Sequence, residues 1–270
     1  MGKTADIRYH RVGVIIFTTH PMKFDVYADL DHLFMLNFSA DAEKLSALVP
    51  SPLKVLSKDG RGFPSIVLPS IKRLRPVLTR FPSVDYELFG LRILVEYDSV
   101  ELGRTKGIYF SNLIMDPNWA RLIANQVTSF DFERGTIQKR AITQGSRTKQ
   151  IQIFQQEKVL DAEVTPSDEF PSQLTSGSCF DSAEDALSMY NDIAYGFLPF
   201  CEGKEVQILQ IADPHPNYVA WPLTHLEVSR VWVKHLHANP IFEKSDIVLE
   251  ASYYVGFLPR YWRWLKTENL

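Results

Sequence analysis

The sequence predicts an α+β protein built mostly on antiparallel sheet, and three observations carry that expectation. Apolar, β-branched and aromatic runs recur along the whole chain, helical patterns are few and isolated, and the centre reads as a hairpin. The hairpin joins Glu87-Leu88-Phe89-Gly90-Leu91-Arg92-Ile93-Leu94-Val95-Glu96-Tyr97 to Gly103-Arg104-Thr105-Lys106-Gly107-Ile108-Tyr109-Phe110-Ser111 through a polar, Gly-containing link. Strands interrupted by single helices favour antiparallel sheet over alternating βαβ units.

Taken in order, the strand-like stretches are Val12 to Thr18, Leu33 to Phe38, Pro64 to Leu68, Leu91 to Tyr97, Gly107 to Leu113, Gln150 to Gln155, Val206 to Ile211 and Ile247 to Val255. Each is bounded by turn formers. A short capped helix is expected over Ser39 to Val49, stopped by Pro50 and Pro52. A second opens at Asp116-Pro117, with Asp as cap, Pro at the first helical position, and Leu122 and Ile123 at core spacing from Trp119. A third starts near Asp181, after a polar loop from Thr165 to Ser178 that is the expected flexible point. No repeat has a fixed period, and nothing forces a division, so residues 1–270 are read as one domain.

Composition excludes more than it identifies. Hydrophobic residues make up 45% and charged residues 23%, which argues against wholesale disorder. With 29 basic against 32 acidic residues, no sequence-wide field draws the chain to nucleic acid or an anionic membrane. Val12 to Phe17 is too short to span a bilayer, and the N-terminus does not resemble a secretory signal. Cys179 and Cys201 have no second pair to complete a Cys-only metal site and read as reduced thiols, so a cytoplasmic protein without membrane insertion is expected. There is no Gly-x-Ser-x-Gly elbow, phosphate loop or dinucleotide fingerprint, and no cofactor is expected.

Strand alternation sorts the candidate side chains. Arg92, Leu94 and Glu96 share one face of their strand; Tyr109 and Ser111 lie together on theirs, opposite Lys106, Ile108 and Phe110. Arg92 in an apolar strand is the first candidate ligand-binding residue, because a guanidinium can hold a carboxylate through two parallel hydrogen bonds. An ion pair with an acid such as Glu250 on a neighbouring strand is the structural alternative. Tyr109 and Ser111 could supply hydroxyls to the same cavity, although a strand Tyr is more often a packed ring. Lys106 is a candidate amine nucleophile, against the usual snorkelling of a strand-start lysine to water. Glu96, Glu101 and Glu250 are carboxylates that could move protons if the fold converges two of them. His215, His225, His235 and His237 lack the spacing of a zinc site, and no metal is expected. The tail, Leu258 to Lys266, mixes three aromatics with three cations; docking on its own domain is favoured, with self-association as a homo-oligomer the next reading.

Four segments together resemble the uncharacterised, domain-of-unknown-function branch of the acetoacetate decarboxylase-like superfamily. They are Leu36-Asn37-Phe38 with Ala42 to Pro52, Glu87-Leu88 through Leu91-Arg92, Lys106 to Ser111, and Trp221-Pro222-Leu223 running into Glu227-Val228. The likeness covers roughly Leu33 to Val255. It implies a cone-shaped, partly closed antiparallel barrel with a few helices packed outside and a ligand-sized cavity inside. In acetoacetate decarboxylase itself a lysine at the end of the strand matching Gly107 to Leu113 forms a Schiff base with the keto acid; aligning the Gly-Arg start on Gly103-Arg104 puts that position near Ser111 or Asn112. The amine is therefore missing here. The expected function is a small-molecule binding protein for an organic acid or a similarly sized apolar ligand, a degenerate enzyme in origin. The alternative is a lyase or decarboxylase-like enzyme acting on a keto acid through Lys106 or Glu96.

Overall fold

Long strands must bury two faces, and the central strands of this chain are apolar on both. The computed structural model describes residues 25–77, 83–128, 130–142, 147–156, 158–168, 174, 176–191, 193–200, 205–212, 220–231, 247–250, 252–256 and 258–269. The first half runs β1 (Val26–Asp41), α1 (Ala42–Ser46), the two-residue strands β2 (Lys54–Val55), β3 (Ser57–Lys58) and β4 (Arg61–Gly62), then β5 (Pro64–Pro76), β6 (Val84–Ser99) and β7 (Gly103–Asp116). There follow α2 (Asn118–Val127), β8 (Glu133–Arg134), β9 (Thr136–Ala141), β10 (Lys149–Phe154), β11 (Lys158–Pro166) and α3 (Ala183–Asn191). The last part holds β12 (Tyr195–Phe200), β13 (Glu205–Ala212), β14 (Ala220–Val231), β15 (Val248–Leu249), β16 (Tyr253–Val255) and β17 (Leu258–Asn269).

Pairing runs from β1 to β5, β6 and β7, all antiparallel. β7 then meets β12 in a short parallel contact at Ile108 and Tyr109, β12 pairs β13, β13 pairs β17, and β17 returns to β1. The result is a partly closed barrel whose narrowest seam is β7–β12. A second antiparallel layer, β9–β10–β11–β14, faces the same wall. Its Ile151, Ile153, Leu160, Ala162 and Val164 share a core with Phe34, Leu36, Ile66, Leu68, Phe89 and Leu91 of β1, β5 and β6. The other face of the wall carries Leu94 and Ile108 against Ala183, Ala186 and Tyr190 of α3.

Several local expectations need correction. β1 continues through Ser39 and Ala40, where Ala40 pairs Gly62, so the first helix begins only at Ala42, with the Asp41 carboxylate accepting from the Lys44 amide at 2.9 Å. In α2, Pro117 occupies the cap position without a side-chain bond, and Asp116 instead accepts from the Ile137 amide at 3.0 Å. Trp119, Leu122 and Ile123 form a face, as their spacing requires, but it points outward, with Trp119 52% exposed. The small Ala120 is the buried contact against Leu113, Met115 and Phe132. Ile247 to Val255 is two strands broken around Glu250, while Val12 to Thr18 lies outside the described residues. The tail docks by its backbone: β17 pairs both β13 and β1.

Gly107 holds the narrow seam open to close approach. A Cβ there would strike the Phe197 ring and lie 2.7 Å from the Tyr195 carbonyl oxygen. Gly107→Ala is therefore expected to destabilise the protein by about 1–3 kcal/mol through overpacking, read as a lower urea midpoint at unchanged slope.

Candidate functional site

One cross-strand row organises the face of the wall that α3 covers. Register sets Asn37 of β1 opposite Ser65 of β5, Ser65 opposite Arg92 of β6, and Arg92 opposite Phe110 of β7. Directly opposed residues present side chains to the same face. Arg92 is only 9% exposed. Its Nε donates to Ser65 Oγ at 3.2 Å, and Nη2 donates to the Tyr190 carbonyl oxygen at 3.3 Å, near the C-terminus of α3. A cation there meets the negative end of the helix.

Beside this row the break between β15 and β16 places a buried acid. Glu250, 4% exposed, accepts from Ser39 Oγ through Oε1 and from Ser178 Oγ through Oε2, both at 2.5 Å. Its backbone amide bonds Asn37 O at 2.8 Å, which ties the break to β1. Arg61 donates from Nε to Ser39 Oγ at 2.8 Å and from Nη2 to Ser39 O at 2.7 Å, so Ser39 stands between a guanidinium and a carboxylate. The Tyr190 hydroxyl donates to Phe38 O at 2.6 Å. Burial holds its phenol well above the ordinary range; Glu250 and Cys179 add to the rise, and Arg92 and Arg61 oppose it. Burial likewise pushes the Cys179 thiol up, with Glu250 adding. The cluster thus combines a buried carboxylate, guanidinium and phenol, where charge interactions are strong, with the half-buried Arg61 at its side.

The structure brings only part of the anticipated set together. Arg92 and Glu250 lie in this region, but the acid is held by serine hydroxyls. Tyr109 pairs Ile93 and packs into the core on the opposite face from Arg92. A bulge explains the rest: partners shift from Leu91–Asn112 to Arg92–Phe110, leaving Ser111 as the extra residue. Regular alternation is interrupted there, and the Ser111 hydroxyl reaches Leu91 O at 3.5 Å. Asn112, on the Tyr109 side, is buried and donates to Glu133 at 2.9 Å. Lys106 is exposed near the start of β7, cross-strand from Glu96, whose carboxylate is ion-paired with Arg104. His215, His235, His237 and Cys201 lie outside the described residues.

Sequence reasoning missed a second, half-buried polar group, on the core face. His32, Ser70 and Glu87 form a row across β1, β5 and β6. Lys139 reaches it from β9, donating to Glu87 Oε2 at 2.6 Å and Leu68 O at 3.2 Å, with His32 Nε2 at 3.3 Å. Ser70 Oγ donates to Glu87 Oε1 at 2.5 Å. An ammonium only donates, so His32 Nε2 accepts and Nδ1 carries the proton toward Asp31 Oδ2 at 3.0 Å. No local motif announces this group, because its members come from four strands. Burial lowers the Lys139 ammonium against the pull of Glu87. Burial and then Lys139 lower the His32 imidazole from 6.5.

Two outcomes follow from these contacts. Ser178→Ala strips a hydroxyl from a buried carboxylate and should cost about 1.5–3 kcal/mol in urea unfolding. Because His32 binds its proton less readily in the folded than in the unfolded state, its stabilising share is complete above pH 6.5 and is lost as pH falls toward the lowered folded value. The wild-type urea midpoint should therefore fall more between pH 7.5 and 5.5 than that of His32→Gln.

No curated protein matches the chain. Solved structures share its fold at low identity. An acetoacetate decarboxylase-like enzyme from Sphingomonas wittichii RW1 superimposes with a TM-score of 0.56 at 12% identity, covering 98% of this chain and 99% of that one. Acetoacetate decarboxylase from Legionella pneumophila gives 0.55 at 14% identity, covering 96% and 94%. The enduracididine biosynthesis enzyme MppR, complexed with pyruvate, gives 0.54 at 13% identity, covering 93% and 91%. The barrel is thus acetoacetate decarboxylase-like, and with the profile of uncharacterized conserved proteins called DUF2071 matching residues 27–249, the chain belongs to the DUF2071 family.

Proposed function

We propose that this protein is a cytoplasmic binding protein for a small organic acid, held on the wall face that carries Arg92, with Tyr190 and Glu250 beside it. The observation that carries the reading is the buried Arg92 guanidinium in the cross-strand row, next to a phenol and a carboxylate held by hydroxyls. A planar guanidinium matches a carboxylate, and ligand sites combine few polar groups with apolar walls. A fold neighbour complexed with pyruvate supports an acid of that kind. Tyr109 and Lys106 do not enter this reading, the first for its opposite face and the second for its exposure.

The second reading is a lyase or decarboxylase-like enzyme acting on a keto acid, supported by the decarboxylases among the fold neighbours. Lys106 and Glu96 are poorly placed for it: one is solvent-exposed and the other is ion-paired at the outer end of the hairpin. Borohydride treatment with pyruvate should leave no mass adduct on Lys106. A stable adduct there would restore the amine mechanism.

Calorimetric titration with pyruvate and propionate tests the binding reading. Arg92→Met should weaken both acids about tenfold or more, and Arg92→Lys should weaken them less, because it keeps the charge and loses the fork. Wild-type affinity in both variants, each folded by circular dichroism, would overturn it.

A further inference from the structure

The polar group that joins β9 to the wall has a titratable member at its centre. Lys139 Nζ meets Glu87 Oε2 at 2.6 Å, Leu68 O at 3.2 Å and His32 Nε2 at 3.3 Å, one acceptor for each N–H of an ammonium. The bond to His32 exists only while that ring is neutral, because an imidazolium carries a proton on both nitrogens. Proton uptake turns the acceptor into a donor and sets two like charges at hydrogen-bond distance.

The charged groups around the ring pull in both directions. Asp31 of β1, with Oδ2 at 3.0 Å from His32 Nδ1, and Glu87 of β6, whose Oε1 accepts from Ser70 of β5 at 2.5 Å, favour the imidazolium. Lys139 of β9 opposes it, and Lys72 of β5 acts on Lys139 in turn. From β16 the Tyr254 ring stacks on the imidazole at 6.5 Å, its phenol kept protonated by burial, and the Phe34 ring of β1 meets it edge-on at 5.5 Å. With carboxylates on two sides the ring can still take up a proton in mild acid, and the cost falls on its bond to Lys139.

β9 has little else with which to absorb that loss. Ile137 is its one buried side chain, and the Ile137 amide reaches Asp116 Oδ2 of β7 at 3.0 Å, while Thr136, Arg140 and Ala141 are exposed. Lys139 therefore carries a large share of what keeps this strand against the wall.

The geometry points to a proton-operated latch: neutral His32 holds Lys139, and with it β9, on the wall, and protonated His32 lets both go. It works on the core face, apart from Arg92, and goes beyond the organic-acid reading without depending on it.

Hydrogen exchange of the full chain, followed by NMR at pH 7.5 and 5.5 in low concentrations of urea, tests the latch. A released imidazole titrating near its ordinary value of about 6.5 favours opening by at most about tenfold at pH 5.5. The Ile137 amide should accordingly exchange about three- to tenfold faster at pH 5.5, after correction for intrinsic rates, and depend little on urea, as a local opening does. Ile151, fully buried in β10, should keep the steep urea dependence of global unfolding. His32→Gln, which retains a neutral acceptor, should abolish the acid increment at Ile137. Asp31→Asn, at an exposed position, withdraws an attraction for the imidazolium and should move the onset to lower pH. An Ile137 rate that does not rise in acid, an increment that survives in His32→Gln, a urea dependence as steep as that of Ile151, or an onset unmoved in Asp31→Asn would each overturn the inference.

Discussion

A four-stranded wall buried on both faces is the constraint on which the rest of the structure depends. β1, β5, β6 and β7 pair along their lengths, and their central residues are covered on both faces: one meets the β9–β10–β11–β14 layer, the other meets α3. Strands buried on both sides read as continuous apolar runs. Any polar residue in them therefore has to be satisfied by a partner brought from another element. Arg92 finds Ser65 and the end of α3, and Glu87 finds Ser70 and Lys139.

The two polar groups are built differently, and the difference bears on what each can do. Lys139 and Glu87 form a direct ion pair that ties the second layer to the wall, with the ammonium donating to acceptors on three strands. That arrangement fits structural attachment, since removing either partner leaves a buried charge exposed to its own desolvation cost. Glu250 is held instead by two serine hydroxyls, with Arg61 acting on it through Ser39. Hydroxyls can turn to donate or accept, so a carboxylate held in this way adapts to a change of charge nearby more readily than one locked in a bidentate pair.

The fold is shared with an acetoacetate decarboxylase, and a common scaffold does not by itself fix the chemistry of the site built on it. The position that resemblance matches to the imine-forming lysine falls at the bulge of β7. Ser111 is the extra residue there, and Asn112 is turned to the other face to hold Glu133. One inserted residue reverses which side chains look toward the Arg92 row.

Much of the architecture was legible in the residues alone. The β6–β7 hairpin, the positions of β5, β10 and β13, and the family likeness follow from short-range patterns of apolar residues and turn formers, which act within a few positions of themselves. Arg92 stood out for the same reason, as a charge inside an apolar strand. The tertiary structure alone decided which way faces point and who meets whom. Trp119, Leu122 and Ile123 have core spacing and look outward, because spacing defines a face and only packing gives it a direction. Glu250 meets Ser39 and Ser178 across long sequence separations, and Lys139 meets His32 and Glu87 from another layer. Such encounters depend on register, on one bulge and on the closing of the sheet, none of which is encoded in any local run of residues.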